Sequence, residues 1–184
     1  MAAPRPFADP RPLRNEPLPL DLVNTRWVDP SGPCDLLESL DGLATWLETS
    51  CLAERVSADE ATLEAVLFAR AALDAVLAEG PRSQRAQRDL NAVLDHGRVR
   101  RTLAAGRPHD LEEVDAPCWL PAWLAAAEYL RLLTTAPDRI RRCADPRCVL
   151  YFYDVSRNGA RRWCSMTTCG NRSKVARHYA RHTP

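Results

Sequence analysis

Apolar residues recur at intervals of three and four along much of the chain, which is the period of a helix that buries one face. Residues 36–47 carry this pattern, and Gly42 within them predicts an interruption. Residues 58–79 carry a longer apolar stripe. Ser57 followed by Glu60 has the spacing of a capping box, so we predict that the second helix opens there. Both stretches indicate a helical body.

The pattern continues as a third helix and then changes its period. Residues 83–96 have helical spacing, and a glycine follows them. Residues 98–114 alternate polar and apolar positions on both sides of Gly106, which predicts a β-hairpin. Helical spacing resumes at Pro121, a residue suited to a first turn, and Pro137 marks the end. The fold class is therefore predicted as mainly α (α+β), with a helical amino-terminal domain that includes one hairpin.

Four of the seven cysteines lie in the last quarter of the chain, and their spacing predicts a metal site. Each pair has four residues between its members, and fifteen residues separate the pairs. Two thiolate pairs across such a loop can close a tetrahedral zinc site with bonds of about 2.3 Å. We predict a hairpin between the pairs, with strands in residues 149–154 and 160–164, and a helix after the last cysteine. This is a small treble-clef-like module with structural Zn²⁺ on Cys143, Cys148, Cys164 and Cys169.

Other uses of these cysteines stay open at this point. The same four thiolates could hold an iron–sulfur cluster, or the cysteines could be plainly buried or disulfide-linked. A mixed site with histidine is also conceivable, because His178 and His182 have three residues between them. Four cysteines already fill a tetrahedral coordination sphere, however, so we expect both histidines on an exposed face.

Composition limits the class of protein. The chain has 184 residues and 46% apolar content, enough for a real core and a small second module. Residues 1–19 carry six prolines and are predicted to be extended or disordered. We find no secretory leader and no apolar run long enough to span a membrane, so the expected location is the cytoplasm. In that reducing compartment, an odd number of cysteines favours metal binding or free thiols.

The distribution of charge separates the two ends of the chain. Residues 139–184 hold ten arginines, Lys174 and two acids, a formal charge of +9, which leaves −8 for residues 1–138. An acidic body with a basic end suggests a module that binds a polyanion. The alternative is that the basic end docks on the acidic body of its own chain. We therefore place the domain boundary near Pro137, with a body at 20–136 and a module at 137–184.

The predicted last helix has two distinct faces. At 100° per residue the cations fall on one side, and Val175 and Tyr179 fall on the other. Arg172 lies on the apolar side, so we expect it to hydrogen-bond within the metal module, with direct DNA contact as the alternative. Arginine's forked donors suit phosphates and guanine edges, and arginines on the hairpin could add phosphate contacts. The predicted DNA-binding residues are Lys174, Arg177, His178, Arg181, Arg157, Arg161 and Arg162.

These residues also carry a resemblance to known families. Cys169-Gly170-Asn171-Arg172, preceded by three cysteines and followed by SKVARHYARH, resembles the CGNR zinc finger. Upstream, LDLVNTR and then DLLESLDGLATWL resemble the ABATE domain, so the resemblance covers almost the entire chain. It implies a stress-induced transcription regulator, with a treble-clef zinc module that binds DNA beside a helical domain that senses a ligand.

The amino-terminal residues are less specific. Asn24, Arg26 and Trp27 could line a polar pocket for a small-molecule effector, but turn, cap and core roles explain Asn24 and Trp27 equally well. The remaining cysteines, Cys34, Cys51 and Cys118, are expected to be small buried apolar residues. We find no nucleotide-binding, metalloprotease or hydrolase motif and no catalytic set around His96 or His109, so we predict that the protein is not an enzyme.

Two functional hypotheses follow. The first is a DNA-binding transcription regulator in which zinc fixes the hairpin and the basic helix. Because one small finger reads few bases, this hypothesis expects a homodimer or the second domain to add specificity. The second hypothesis is an adaptor whose zinc module grips RNA or an acidic protein without preference for a DNA sequence.

Overall fold

Five α-helices form the body of the chain in the computed structural model, which describes residues 9–175. The longest helix, α3, packs against each of the other four. Among the described residues, no helix is long and apolar enough to cross a membrane. The helices are α1 (Leu18–Val23), α2 (Leu40–Thr49), α3 (Glu60–Glu79), α4 (Gln84–Leu94) and α5 (Leu120–Thr135).

Three antiparallel hairpins accompany these helices. The first pairs β1 (Arg26–Asp29) with β2 (Gly32–Asp35), and the second pairs β3 (Gly97–Ala104) with β4 (Arg107–Val114). The third pairs β5 (Ile140–Arg142) with β6 (Tyr151–Tyr153). The mainly helical α+β class is therefore confirmed.

Two apolar clusters hold the described residues together. The large one lies between the helices, and Trp46, Leu73 and Tyr129 are at most 2% exposed there. The small one surrounds the four carboxyl-terminal cysteines and includes Phe152. Leu36 packs against both clusters, so the two cores are contiguous.

The predicted helices form, but two of their signals were misread. The break before α2 lies at Ser39, whose extended backbone and side chain cap the helix, and not at Gly42. The cap of α3 is Asp59, whose carboxylate accepts the Thr62 N–H, and not Ser57. A carboxylate next to the first turn outcompetes a serine two residues further out, because only the nearer side chain reaches the free N–H groups.

The third helix is shorter than predicted, and the long hairpin forms as predicted. Ser83 caps α4, which ends at Leu94 and not at His96. The β3–β4 turn has positive φ at Ala105 (49°) and Gly106 (74°), the type I′ geometry that suits a two-residue hairpin loop.

The hairpin predicted inside the cysteine module pairs differently. β6 lies within the predicted strand 149–154, but its partner is β5, which precedes the first cysteine. Residues 160–164 form no strand. The reason is Asp154, which is 1% exposed and accepts the N–H groups of Ser156 and Arg161. These bonds hold the following chain as a compact loop and use a donor that a second strand would need.

The proline-rich segment is also more ordered than predicted. Its first eight residues lie outside the described part, but residues 9–17 pack against the body and α1 begins at Leu18. Arg11 is buried and forms ion pairs with Asp9 and Asp21, at 2.8 and 2.9 Å. Residues 9–17 lack regular secondary structure and are held by these side chains instead.

The three cysteines outside the module are not buried, contrary to prediction. Cys51 is exposed and has a positive φ of 58°, while Cys34 and Cys118 are partly buried.

Gly42 provides a test of the packing between the first two helical turns. A Cβ at this position would overlap the carbonyl oxygen of Leu36. We therefore expect Gly42→Ala to lower the free energy of unfolding by about 2 kcal/mol, although alanine is the better helix former. Urea unfolding measures this change, and Asp41→Ala, at the exposed neighbouring position, should shift the free energy of unfolding by about 0.5 kcal/mol or less. A Gly42→Ala protein of raised stability would contradict the packing argument.

Candidate metal centre

The four clustered cysteines converge on one point. All four are buried, and their Sγ atoms lie within 4.8 Å of one another. The Sγ atoms of Cys148 and Cys164 are 3.7 Å apart, and those of Cys164 and Cys169 are 3.5 Å apart. A tetrahedron of zinc–sulfur bonds of about 2.3 Å has edges of about 3.8 Å. The spacing and the soft donor set therefore fit a thiophilic divalent cation such as zinc.

Hydrogen bonds from backbone N–H groups fix the positions of these thiols. Cys143 donates its N–H to the Leu150 carbonyl at 2.9 Å, which ties the first cysteine to the strand side of the module. Cys148 closes a tight turn by donating to the Asp145 carbonyl, also at 2.9 Å. The Cys164 N–H points at the Cys143 sulfur from 3.4 Å. Such bonds orient metal ligands from outside the first coordination sphere.

The protonation of the thiols shows why this cluster suits a cation. The Cys164 thiol donates to Cys148 and lowers the pKa of Cys148 to about 5, while that hydrogen bond and burial raise the pKa of Cys164. Burial raises the pKa of Cys169 to about 11. One thiolate is thus stabilised by its neighbours at the expense of the others. A divalent cation would remove this conflict by stabilising all four charges.

Arg172 faces the cluster from the start of the last helical segment, residues 171–175. Its Nη2 donates to the Cys169 sulfur at 3.1 Å, and this bond raises the pKa of Arg172. Its Nε lies 2.9 Å from the Asp145 carboxylate, a charge contact without good hydrogen-bond alignment. Arg172 thus serves the module internally, as expected from the apolar side of the helix. Asn171 follows a π-helical turn (Met166–Gly170) and donates its side-chain amide to the Thr167 carbonyl of that turn at 3.1 Å.

The predicted DNA-binding residues have different surroundings. Lys174, Arg157 and Arg162 are exposed, and the Arg162 guanidinium stacks 5.2 Å above the Trp163 ring. Arg161 is not free: it donates to the Cys164 carbonyl at 2.7 Å and lies 4.2 Å over the Phe152 ring. This internal bonding does not suit a phosphate contact by Arg161. Arg177, His178 and Arg181 lie outside the described residues.

Asn24 joins the helical body to the metal module. Its side-chain amide donates to the Tyr151 carbonyl at 2.8 Å and accepts the Tyr151 N–H at 2.9 Å. Asn24 is 1% exposed, so neither polar end is free to meet a ligand. This pairing does not suit a role for Asn24 in an effector pocket, and that assignment stays a prediction. Sequence reasoning could not find this contact, because its partner is backbone 127 positions away.

Glu16 makes a second contact of the same kind. Its carboxylate accepts the Tyr153 N–H at 2.7 Å and lies 3.4 Å from the Arg161 guanidinium. Burial raises the pKa of Glu16, and these two partners act in the opposite direction. Glu16 and Asn24 thus bond the same strand, β6, from the amino-terminal half.

Trp27 and Arg26 lie on opposite sides of β1. Trp27 is 8% exposed and packs on the cysteine cluster, so most of its surface belongs to the core. Arg26 forms an ion pair with Asp74 of α3. Both nevertheless line one cavity of about 400 Å³, whose wall includes Val149 from the cysteine module.

Sequence reasoning also missed the buried ion pair between Arg70 and Asp35. Arg70 reaches both carboxylate oxygens, at 2.6 and 2.7 Å, and donates to the Thr25 hydroxyl. A signal was present, because Arg70 interrupts the apolar stripe of α3 between Val66 and Leu73.

Comparison with known proteins agrees with this architecture. The sequence-family model of the CGNR zinc finger matches residues 139–182. The model of the ABATE domain, described as "Putative stress-induced transcription regulator", matches residues 16–137. A search of curated proteins finds no match.

The Asn24 contact predicts a large effect from a small substitution. Asn24→Ala should lower the free energy of unfolding by about 2–4 kcal/mol, because it leaves the Tyr151 N–H and carbonyl buried without partners. Urea unfolding followed by tryptophan fluorescence measures the change. Asn91→Ala, on the exposed face of α4, is the matched control and should shift stability by about 0.5 kcal/mol or less. Equal stabilities for the two variants would show that the paired bonds contribute little.

Proposed function

Because the chain belongs to the ABATE family and ends in a CGNR zinc finger, we propose that it is a DNA-binding transcription regulator held in shape by zinc. The observation that carries the proposal is one module that combines four converging thiols with exposed cations. The proposed zinc ligands are Cys143, Cys148, Cys164 and Cys169. Zinc, when bound, would cross-link four points of a segment whose own apolar core is small.

A structural role follows from the number of ligands. Four protein thiolates leave no open position for water or substrate, and the known catalytic zinc sites keep one open. Arg172 supports the site by bringing a positive charge to the Cys169 sulfur, while Asp145 holds the guanidinium from the other side. We infer a binding protein and not an enzyme.

The proposed DNA surface lies on the outer side of the module. Lys174 is exposed, and a helix continued from it would place Arg177 and Arg181 on the same face. Arg157 and Arg162 add exposed cations from the loop. Arg161 is left out of this surface because its guanidinium is bonded internally. Guanidinium groups on one face suit phosphates and guanine edges.

The helical body is proposed to sense an effector and to join a second copy. The cavity lined by Arg26 and Trp27 touches both the body and the module, so a small molecule there could alter how the two fit together. A homodimer would add a second finger and with it the base contacts that one finger lacks. The proposed location is the cytoplasm, where thiols stay reduced.

The metal site predicts a specific spectrum. Cobalt(II) added to metal-free protein should give the intense charge-transfer and ligand-field bands of a tetrahedral thiolate site at about one equivalent, and zinc should displace it. Cys164→Ser should abolish these bands, while Cys51→Ser, at an exposed cysteine, should leave them unchanged. Binding should weaken as pH falls, because the buried thiols must release protons. The visible spectrum of an iron–sulfur cluster in the purified protein would contradict the zinc assignment.

The DNA surface predicts both a sequence motif and a salt dependence. Zinc-loaded protein should select one motif from genomic fragments in the presence of excess random duplex. The logarithm of the affinity should fall with the logarithm of salt at a slope of roughly −4 to −5, and Arg177→Ala/Arg181→Ala should reduce that slope by about 2. Arg82→Ala/Arg88→Ala, at two exposed arginines of the body, should leave the selection unchanged. Recovery of no motif would instead favour an RNA or protein partner.

A further inference from the structure

The β3–β4 hairpin projects from the body with most of both faces in solvent, and Glu112 near its base pairs with Arg55 of the body at 2.6 Å. Nearly every residue from Arg98 to Glu112 is exposed. Contacts hold its base: Gly97 lies against the Trp123 ring, and Asp115 donates its N–H to the His96 carbonyl at 3.0 Å. A two-stranded ribbon without a covered face is at best marginally stable in water. The hairpin therefore has the properties of an arm that a partner covers.

One face of this arm is apolar at its tip and charged in its middle. The strand register pairs Leu103 with Pro108 and Gly97 with Val114, and paired residues share a face. Val99 lies on the same face, four residues before Leu103, and the cross-strand pair of Arg101 and Asp110 lies between them. Val99 is 49% exposed and Leu103 is 77% exposed. Leu103 stands next to the turn, so the most exposed leucine of the arm is at its tip.

An apolar groove lies at the base of the same arm. It has a volume of about 520 Å³ and is lined by one face of α3 together with the segments that flank the hairpin. Phe68 is 47% exposed and meets the Trp119 ring edge to face at 6.0 Å, while His96 stacks on Trp119 at 3.4 Å. Exposed aromatic side chains in a concave surface are typical of binding sites. Cys118 also lines this groove.

The positions of arm and groove are complementary between two copies but not within one. Eight residues of β-strand extend about 25 Å, so the tip of the arm cannot reach the groove at its own base. Two arms packed antiparallel about a two-fold axis would bring each tip to the base of the other. The same contact would then occur twice, as a two-fold interface requires.

The charges at the two ends also match. Arg107 stands at the tip beside the turn, and Glu64 lines the groove. Both are exposed, and neither forms an ion pair among the residues described by the structure. Opposite unpaired charges at the two contact points favour the antiparallel arrangement and disfavour a tip-to-tip one, in which Arg107 would face its own copy.

We propose that two copies of the chain dimerise by exchanging these arms, with Leu103 of each copy packed on the outer surface of the Phe68–Trp119 pair of the other. This names the surface for the homodimer in the proposed function. Arm exchange is tested without DNA, so a negative result would not contradict the proposed DNA binding. A failure to bind DNA would likewise not contradict arm exchange.

A cysteine at the tip tests the contact directly. In a Cys51→Ser background, Leu103→Cys should form a disulfide with the native Cys118 of the second copy under mild oxidation. Denaturing electrophoresis of the zinc-loaded full chain then shows a covalent dimer. A further Cys118→Ser change should remove the cross-link, and Val155→Cys, at an 80% exposed position of the metal module, should not cross-link to Cys118. A cross-link that survives the loss of Cys118 would overturn the proposed pairing.

Association in solution provides the second test. The wild-type chain should sediment as a dimer at about 100 μM, where even a weak specific dimer is populated. Leu103→Glu and Phe68→Glu should each weaken the dimer by about thirtyfold, the effect of a central interface residue, whereas Val155→Glu should not. Circular dichroism verifies folding, which these exposed positions should not disturb. A monomeric wild type, or a dimer that tolerates both substitutions, would refute arm exchange.

Discussion

The paired hydrogen bonds between the Asn24 side chain and the backbone of Tyr151 are the contact on which the rest of the structure depends. They lie where the helical body meets the metal module, and Asn24 is 1% exposed there. A buried amide is costly unless it is paired, so the two halves cannot separate without exposing or orphaning four polar groups. Trp27 follows three residues later and packs directly on the cysteine cluster. The module thus obtains from the body the apolar wall that its own short sequence lacks.

The arginines of the basic end fall into two groups. Some of its arginines bind inward: Arg161 is bonded to Glu16 and to the Cys164 carbonyl, and Arg172 to Asp145 and Cys169. Of these contacts, the Arg161–Glu16 pair joins the basic end to the acidic body, which agrees in part with the alternative in which the basic end docks on its own chain. Other cations remain on the surface, among them Lys174 and Arg162. One group of arginines therefore stabilises the fold, and the exposed group is the one available to a polyanion.

The placement of the cysteine centre against Trp27 also connects the proposed activities. An effector in the cavity beside Arg26 would touch the strand that carries Trp27, and Trp27 touches the cysteines. The arm and groove lie elsewhere, at the end of α4 and the start of α5. A second copy could thus bind without competing with either the metal module or the cavity. The chain has room for three separate interactions on a small fold.

Local chemistry determined much of this protein from sequence alone. The spacing of the cysteines predicted their cluster, the apolar stripes predicted α3 and α5, and the turn around Gly106 predicted the long hairpin. Each of these depends on residues close together in the chain, where spacing fixes geometry. The tertiary structure alone decided the partner of β6, the bonding of Arg161 and the role of Asn24. In those cases a polar group could be satisfied in several ways locally, and its partner was chosen by which distant backbone came within hydrogen-bond distance once the cores had packed.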